Sequence, residues 1–320
     1  MSDNRQVTHE ADFCVVGGGM AGLCAAVSAA RHGAKVVLMH DRPVLGGNAS
    51  SESRVHICGA DRAGRIKNVR ETGILEELRL DNLHRNPQRS FSMWDLLLYE
   101  KAMAEPGLTL LLNTSAFRAE AAGGRILSVT GWQTTTYTEH TVRAPLFADC
   151  SGDGILGPLT GAEFRVGREA RSEYGESIAP EVADARTMGM TCLFHAREHA
   201  TPQPFEPPGW IERFDRCDQM PYGETAHRWL EMGYWWIELG GEYDSIHDTE
   251  RLRDELLRIT LGVWDHIKNR CPHRAEAANW AVDWLQFLPA KRESRRYVGA
   301  HVLCQGDIEA GGRFDDVAAY

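Results

Sequence analysis

The stretch Phe13-Cys14-Val15-Val16-Gly17-Gly18-Gly19-Met20-Ala21-Gly22 decides the fold, with the helix-forming run 21–31 and the apolar segment Lys35-Val36-Val37-Leu38-Met39 around it. Four apolar residues read as a buried strand, and a G-x-G-x-x-G turn follows before a helix rich in small residues. Each glycine has its own physical reason. Gly17 permits the tight turn, Gly19 lets the backbone approach a pyrophosphate, and Gly22 lets helix and strand pack closely. The helix N-terminus adds unpaired N–H groups and a partial positive charge. Strand, turn, helix and second strand together point to a bound dinucleotide.

Working outward, the second strand ends at His40 and Asp41, where a residue commonly hydrogen-bonds the adenosine ribose. Asp41 can accept from a ribose hydroxyl pair, and His40 sits in the register where an acid often stands, so both are candidates. A crossover helix would ordinarily follow. Instead the chain makes a second turn, Leu45-Gly46-Gly47-Asn48-Ala49-Ser50-Ser51, suited to passing backbone N–H groups along another part of a long cofactor. Amphipathic helices are expected over 71–85 and 93–104, then a buried strand over 108–112. Beta-type segments over 125–130 and 134–142 form an antiparallel meander before the return strand Leu146-Phe147-Ala148-Asp149-Cys150. That strand closes on Ser151-Gly152-Asp153-Gly154, a turn suited to a ribityl chain or diphosphate.

Composition narrows the function classes. A formal charge of −10 over 320 residues disfavours general nucleic-acid binding. The first ten residues are polar and lack the apolar core of a signal peptide, and no apolar run approaches the roughly 20 residues of a membrane span. A cytoplasmic location is expected. Eight cysteines, at 14, 24, 58, 150, 192, 217, 271 and 304, include no C-x-x-C. The sequence therefore gives no local signature of a zinc or iron–sulfur site, and no metal is expected. Cys14 and Cys24 read as small buried hydrophobes.

The run 12–60 resembles FAD-dependent oxidoreductases of the glutathione-reductase-like flavoprotein superfamily, and more narrowly the bacterial FAD-dependent oxidoreductases related to fumarate-reductase flavoproteins. The likeness rests on the first glycine turn, on Leu45 to Glu52, on Arg54-Val55-His56-Ile57, on Asp149 to Gly154, and on the late block Pro289 to Arg296. It implies an α/β fold: a Rossmann-like FAD-binding domain with a parallel sheet and inserted antiparallel β-meander, plus an α+β substrate or cap region. The expected boundaries are 1–166 for the FAD domain, 167–284 for the cap, and 285–320 for an incomplete return. The resemblance assigns Gly17, Gly19 and Gly22 to the pyrophosphate, and His40 or Asp41 to the ribose. Gly46, Gly47 and Asn48 go to the diphosphate or flavin edge, and Gly152, Asp153 and Gly154 to the middle of the cofactor. Such flavoproteins close the flavin site with a late glycine-rich strand and helix, absent before Tyr320, so the chain reads as C-terminally shortened.

For catalysis, Arg292, Arg295 and Arg296 are candidates to face the flavin or clamp a substrate carboxylate. His56 is a candidate acid/base, with His301 a weaker one. The tryptophans at 210, 229, 235, 236, 264, 280 and 284 mark the cap region, which is built around a long helix over 248–269. The segment Gly233 to Gly241 offers rings to a sugar-like substrate, although buried packing is the commoner use of such aromatics. The expected activity is hydride transfer between a small organic substrate and flavin N5, with an electron donor or acceptor of unassigned identity. Two rivals are an NAD-linked dehydrogenase and a non-catalytic dinucleotide-binding or assembly module.

Overall fold

The computed structural model describes residues 5–58, 69–221, 223, 227, 229–312, 314 and 315. Ala60, the extreme N-terminus 1–4 and the final segment 316–320, which the sequence reading also used, lie outside them. The chain opens with β1 (Arg5–Glu10), β2 (Phe13–Val16), α1 (Met20–Arg31) and β3 (Val36–Met39), followed by α2 (Gly73–Arg85) and α3 (Phe91–Met103). Next come β4 (Leu108–Leu111), β5 (Thr114–Ala122), β6 (Arg125–Gln133), β7 (Thr138–Arg143) and β8 (Leu146–Asp149). After them lie α4 (Leu156–Thr160), β9 (Phe164–Arg165) and α5 (Arg171–Tyr174). The remainder holds β10 (Phe194–Glu198), α6 (Thr249–Asp265), β11 (Trp280–Leu285), β12 (Arg296–Tyr297) and α7 (Gln305–Glu309). Two compact units result, one of Met1–Ala185 with Glu293–Tyr320 and one of Arg186–Arg292, against the sequence-based boundaries of 167 and 284.

In the first unit a parallel sheet runs β4-β3-β2-β8. The strands are in step: Val16 pairs with Met39 on one side and with Asp149 on the other. Their carboxyl ends therefore meet at one edge. The strand order reverses between β2 and β8, the place where open α/β sheets take their ligands. Both faces of this sheet are covered, which is why its two central strands are apolar at every position. Cys14, Val16, Val37 and Met39 point to one side and pack with Ala116, Val129 and Val142 of the second sheet. Val15, Val36 and Leu38 point to the other and pack with Leu23, Ala26, Leu97 and Leu98 of the helices. That alternation is the two-residue period of a strand.

The second sheet, β1-β7-β6-β5, contains the expected meander, with β5, β6 and β7 antiparallel in sequence. It also has an unexpected edge: β1 lies parallel to β7, with His9 Nε2 3.0 Å from His140 Nδ1. Its charged residues suit a sheet edge, where they discourage further pairing. Helix α3 begins two residues earlier than expected because Ser90 caps it, its hydroxyl accepting from the Met93 N–H. No helix among the described residues is long and apolar enough to cross a membrane.

The second unit pairs β10 with β11 antiparallel and packs α6 beside a core of aromatic rings. Phe194 lies 4.3 Å from Tyr234 and 5.1 Å from Trp264, centroid to centroid. Tyr234 and Ile237 are buried, and Trp235 and Trp236 pack against the same core, so packing accounts for much of the aromatic segment. The long helix differs from expectation at its end. After Asp265 it widens into a π-helical turn, His266–Arg270, closed by the Cys271 N–H donating to the His266 carbonyl at 2.7 Å.

Candidate dinucleotide site

Three turns meet at the carboxyl edge of the parallel sheet. The first is Gly17–Gly19, and packing explains two glycines of its motif. A Cβ on Gly17, whose φ is +103°, would lie 2.2 Å from the Cys150 carbonyl oxygen, and one on Gly22 would lie 1.8 Å from the Gly17 oxygen. Gly19 is different. Its φ of −62° and ψ of −179° suit any residue, and a Cβ there would meet nothing nearer than Gly47 Cα at 4.0 Å. Protein packing does not require glycine at 19, and the space in front of it is open. Helix α1 begins there with no side-chain cap and no acidic residue in its first turn, which leaves its leading N–H groups for an anion.

The second turn abuts the first. Gly46 donates its N–H to the Gly18 carbonyl at 2.9 Å, and Gly19 bridges Gly46 in parallel. Helix α3 holds this turn in place: Trp94 Nε1 donates to the Ala49 carbonyl at 3.0 Å, and Asp95 accepts from the Ser51 N–H at 3.0 Å. Burial raises the Asp95 pKa, with like charge from Glu52 adding to it. Arg42 and Glu52 close the loop with two hydrogen bonds, at 2.7 and 3.0 Å.

His40 and Asp41 separate in role. The His40 ring is buried; Nδ1 accepts the Gly18 N–H at 2.9 Å and Nε2 lies 3.0 Å from the Val44 carbonyl. Those partners fix the neutral ring with its proton on Nε2. Burial lowers the His40 pKa, against the attraction of Asp41. The 3.4 Å approach of Nδ1 to the Asp41 carboxylate is therefore a contact to a neutral ring rather than an ion pair. Asp41 keeps 59% of its side chain exposed at the strand end.

The third turn is organised by Asp149. One carboxylate oxygen accepts from the Ser151 N–H and hydroxyl, the other from the Leu156 N–H at 2.7 Å and the Tyr297 hydroxyl at 2.6 Å. Burial first, and then the Asp149 carboxylate, push the Tyr297 phenol above its usual range. Asp153 accepts from the Ser294 hydroxyl at 2.8 Å, and its carbonyl accepts from Arg295 at 3.1 Å. Gly152 is exposed and Gly154 is buried beside Arg295.

The arginine block is not one cluster. Arg295 holds the third turn, with its guanidinium 5.4 Å from the centre of the Phe164 ring. Arg296 donates to the Gly167 carbonyl and to Glu169. Arg292 belongs to the other unit and pairs with Glu238 at 2.8 Å. His56 is exposed, in a segment without regular secondary structure. The Val55 N–H instead donates back to the Asn48 carbonyl at 2.8 Å. His301 is exposed and lies 3.1 Å from Asp307.

One group escaped sequence reasoning. Cys217 and Cys271 are buried, as small apolar residues would be, yet they stand face to face with the buried rings of His227 and His266 in the second unit. The spacing contains no local pair except His266 and Cys271, five apart on the π turn, and that was the available signal.

Several solved structures are similar to this chain in part. p-Nitrophenol 4-monooxygenase from Pseudomonas putida DLL-E4 shares 13% identity at a TM-score of 0.41, covering 91% of this chain and 68% of its own. L-Proline dehydrogenase from P. horikoshii shares 16% at 0.29, covering 47% and 24%, so this chain spans well under two thirds of that protein. The THI4 protein of Thermovibrio ammonificans shares 19% at 0.34, covering 54% and 76%. No curated protein matches the chain. Residues 12–320 match the family described as FAD dependent oxidoreductase, and the chain belongs to that family, with FAD as its cofactor.

Proposed function

We propose that this chain binds FAD across the three turns and serves hydride transfer between a small organic substrate, sugar-like or carboxylate-bearing, and flavin N5. The observation that carries the reading is the open space at Gly19, flush against Gly46 and Gly47 and in front of an uncapped helix start. The leading N–H groups of α1 and the backbone at Gly17, Gly19 and Gly22 hold the pyrophosphate. Asp41 takes the adenosine ribose, because both ring nitrogens of His40 are already engaged. Gly46, Gly47 and Asn48 line the adjoining stretch, and Gly152, Asp153 and Gly154 receive the cofactor's middle portion.

Bound FAD supplies the two-electron chemistry; the chain supplies orientation and charge. Arg295, tied to the Asp153 carbonyl, presents a fixed cation beside the third turn. Arg296 acts as a positioning residue, since its guanidinium is committed to Gly167 and Glu169. Exposed His56 is assigned to hold or release the substrate proton. Arg292 stays paired with Glu238 within the second unit and is given no part in the flavin chemistry.

Anaerobic purification of the full chain, followed by absorbance and release of the bound nucleotide, tests the reading. The expected outcome is about one FAD per chain, bleached by an oxidisable substrate. A colourless protein that binds NADH would favour the dehydrogenase alternative, and one that takes up neither would leave a non-catalytic module. In the His56→Gln variant, flavin content should hold while turnover falls.

A further inference from the structure

We infer that Cys217, His227, His266 and Cys271 form a closed, structural zinc site in the second unit. The four ligand atoms lie within 4.8 Å of one another, and all four residues are buried. Cys217 Sγ is 3.9 Å from Cys271 Sγ, 3.4 Å from His266 Nε2 and 3.6 Å from His227 Nε2; His227 Nε2 is 3.1 Å from Cys271 Sγ. With zinc–sulfur bonds of about 2.3 Å and zinc–nitrogen bonds of about 2.05 Å, a tetrahedron has edges of about 3.8 Å between sulfurs and about 3.5 Å between sulfur and nitrogen. The observed edges fall within a few tenths of an ångström of these values. The two remaining edges, His266 to Cys271 and His227 to His266, are no longer than 4.8 Å, so an ion at the centre would need the ligands only to draw inward.

The surroundings prepare the ligands. His266 Nδ1 lies 2.9 Å from the Phe214 carbonyl, which fixes the proton on Nδ1 and turns the Nε2 lone pair toward the sulfurs. Gly262 lets the backbone at Glu212, two residues before Phe214, lie close against α6, since a Cβ there would be 2.3 Å from the Glu212 oxygen. The His273 N–H donates to Cys271 Sγ at 3.3 Å, which helps hold that sulfur in place. The π turn sets His266 and Cys271 on one face, five residues apart.

Other uses of these atoms fit less well. A disulfide needs the sulfurs at about 2.05 Å, so they would have to close by nearly half their separation. A two-iron cluster with two cysteines and two histidines places the pairs on separate metals, whereas here every sulfur–nitrogen distance given is 3.6 Å or less. Two thiolates and two imidazoles make a neutral set with Zn²⁺, and all four positions are filled by protein, the pattern of a structural rather than catalytic ion. The ion would staple Cys217 and His227 to the end of α6. Binding releases the two thiol protons and involves no change of oxidation state. This proposal is independent of the flavin reading, because it lies in the other unit.

Metal analysis of the full chain, expressed without a histidine tag and purified without chelator, tests it. About one zinc per chain is expected, with Cys217→Ser and Cys271→Ser retaining little. Because those variants can fail to fold, the wild-type chain is also stripped and loaded with Co²⁺. Intense visible bands of tetrahedral cobalt and a near-ultraviolet thiolate charge-transfer band are expected. Absence of zinc together with a cobalt-treated chain whose spectrum gains none of these bands over the untreated chain would overturn the proposal. So would iron with acid-labile sulfide, or a loss of two titratable thiols in denaturant that reductant restores. Zinc undiminished in both serine variants would overturn it too.

Discussion

If FAD lies across the three turns as proposed, Gly19→Ala separates a glycine kept for its ligand from a glycine kept for the fold. At position 19 the backbone is in an ordinary extended conformation and the added methyl has no protein neighbour inside 4.0 Å. Exchanging a glycine cap for alanine costs about 0.5–1 kcal/mol, while reduced freedom of the unfolded chain returns about 0.4–1 kcal/mol. Net stability should change by less than about 1 kcal/mol, or about 2–4 °C in Tm for a unit of this size. The cofactor sees the same methyl differently. Pushing a pyrophosphate off even one N–H group forfeits a charge-assisted hydrogen bond of about 1.5–3 kcal/mol, so Kd for FAD should rise about 10- to 100-fold. Gly22→Ala is the contrast, since its methyl would sit 1.8 Å from the Gly17 oxygen. It should destabilise the unit by about 1–3 kcal/mol or more as the helix is forced off the turn. Flavin fluorescence titration reads the first effect and urea unfolding the second. A Gly19→Ala chain that binds FAD as tightly as wild type would place the pyrophosphate elsewhere, and one that unfolds like Gly22→Ala would show position 19 to be packed.

Three other outcomes are expected. His40→Ala leaves the Gly18 N–H and Val44 carbonyl without their ring partner, and urea midpoints should report a loss of about 1–3 kcal/mol. Acid should weaken the first unit in a particular window: burial holds the folded pKa of His40 below its ordinary 6.5, so the unfolded chain binds the proton first. Stability is then complete above pH 6.5 and falls as pH drops below it toward the folded value, with His9 and His140, also lowered, adding to the slope. Urea midpoints at pH 7.5, 6.5 and 5.5 should show this, and His40→Gln should flatten it; an unchanged slope would contradict a buried neutral ring. Tyr297→Phe removes one of the donors to Asp149 and should cost about 1–3 kcal/mol in thermal unfolding, since the acceptor is charged.

The parallel sheet and the first turn were legible because burial on both faces leaves an unmistakable apolar run, and because Gly17 and Gly22 answer to contacts within a short stretch of chain. The meander was legible from its two-residue period. β1 was not, since Arg5 to Glu10 makes a polar edge strand whose partner is more than a hundred residues away. Spacing places both His40 and Asp41 at the strand end, whereas the two hydrogen bonds of the His40 ring depend on how the second turn folds back. The arginine block likewise suggested a cluster, but neighbours in sequence joined different partners and even different units. The Cys/His group was invisible for the same reason: its ligands come from 217, 227, 266 and 271, and only the fold of the second unit draws them to one point.

The close contact between Gly17 and Cys150 also has a bearing on when the chain becomes competent to hold its cofactor. The Cys150 N–H donates to the Val16 carbonyl at 2.7 Å, and β8 pairs with β2 across more than 120 residues of intervening chain. A pairing so distant in sequence forms late, because the long loop must close before any of its contacts stabilise it. During synthesis the first glycine turn emerges early, but the wall on which it rests arrives only with Asp149 and Cys150. Refolding should therefore show flavin uptake lagging behind the earliest helix signal, with the nascent first sixty residues unable to retain FAD on their own.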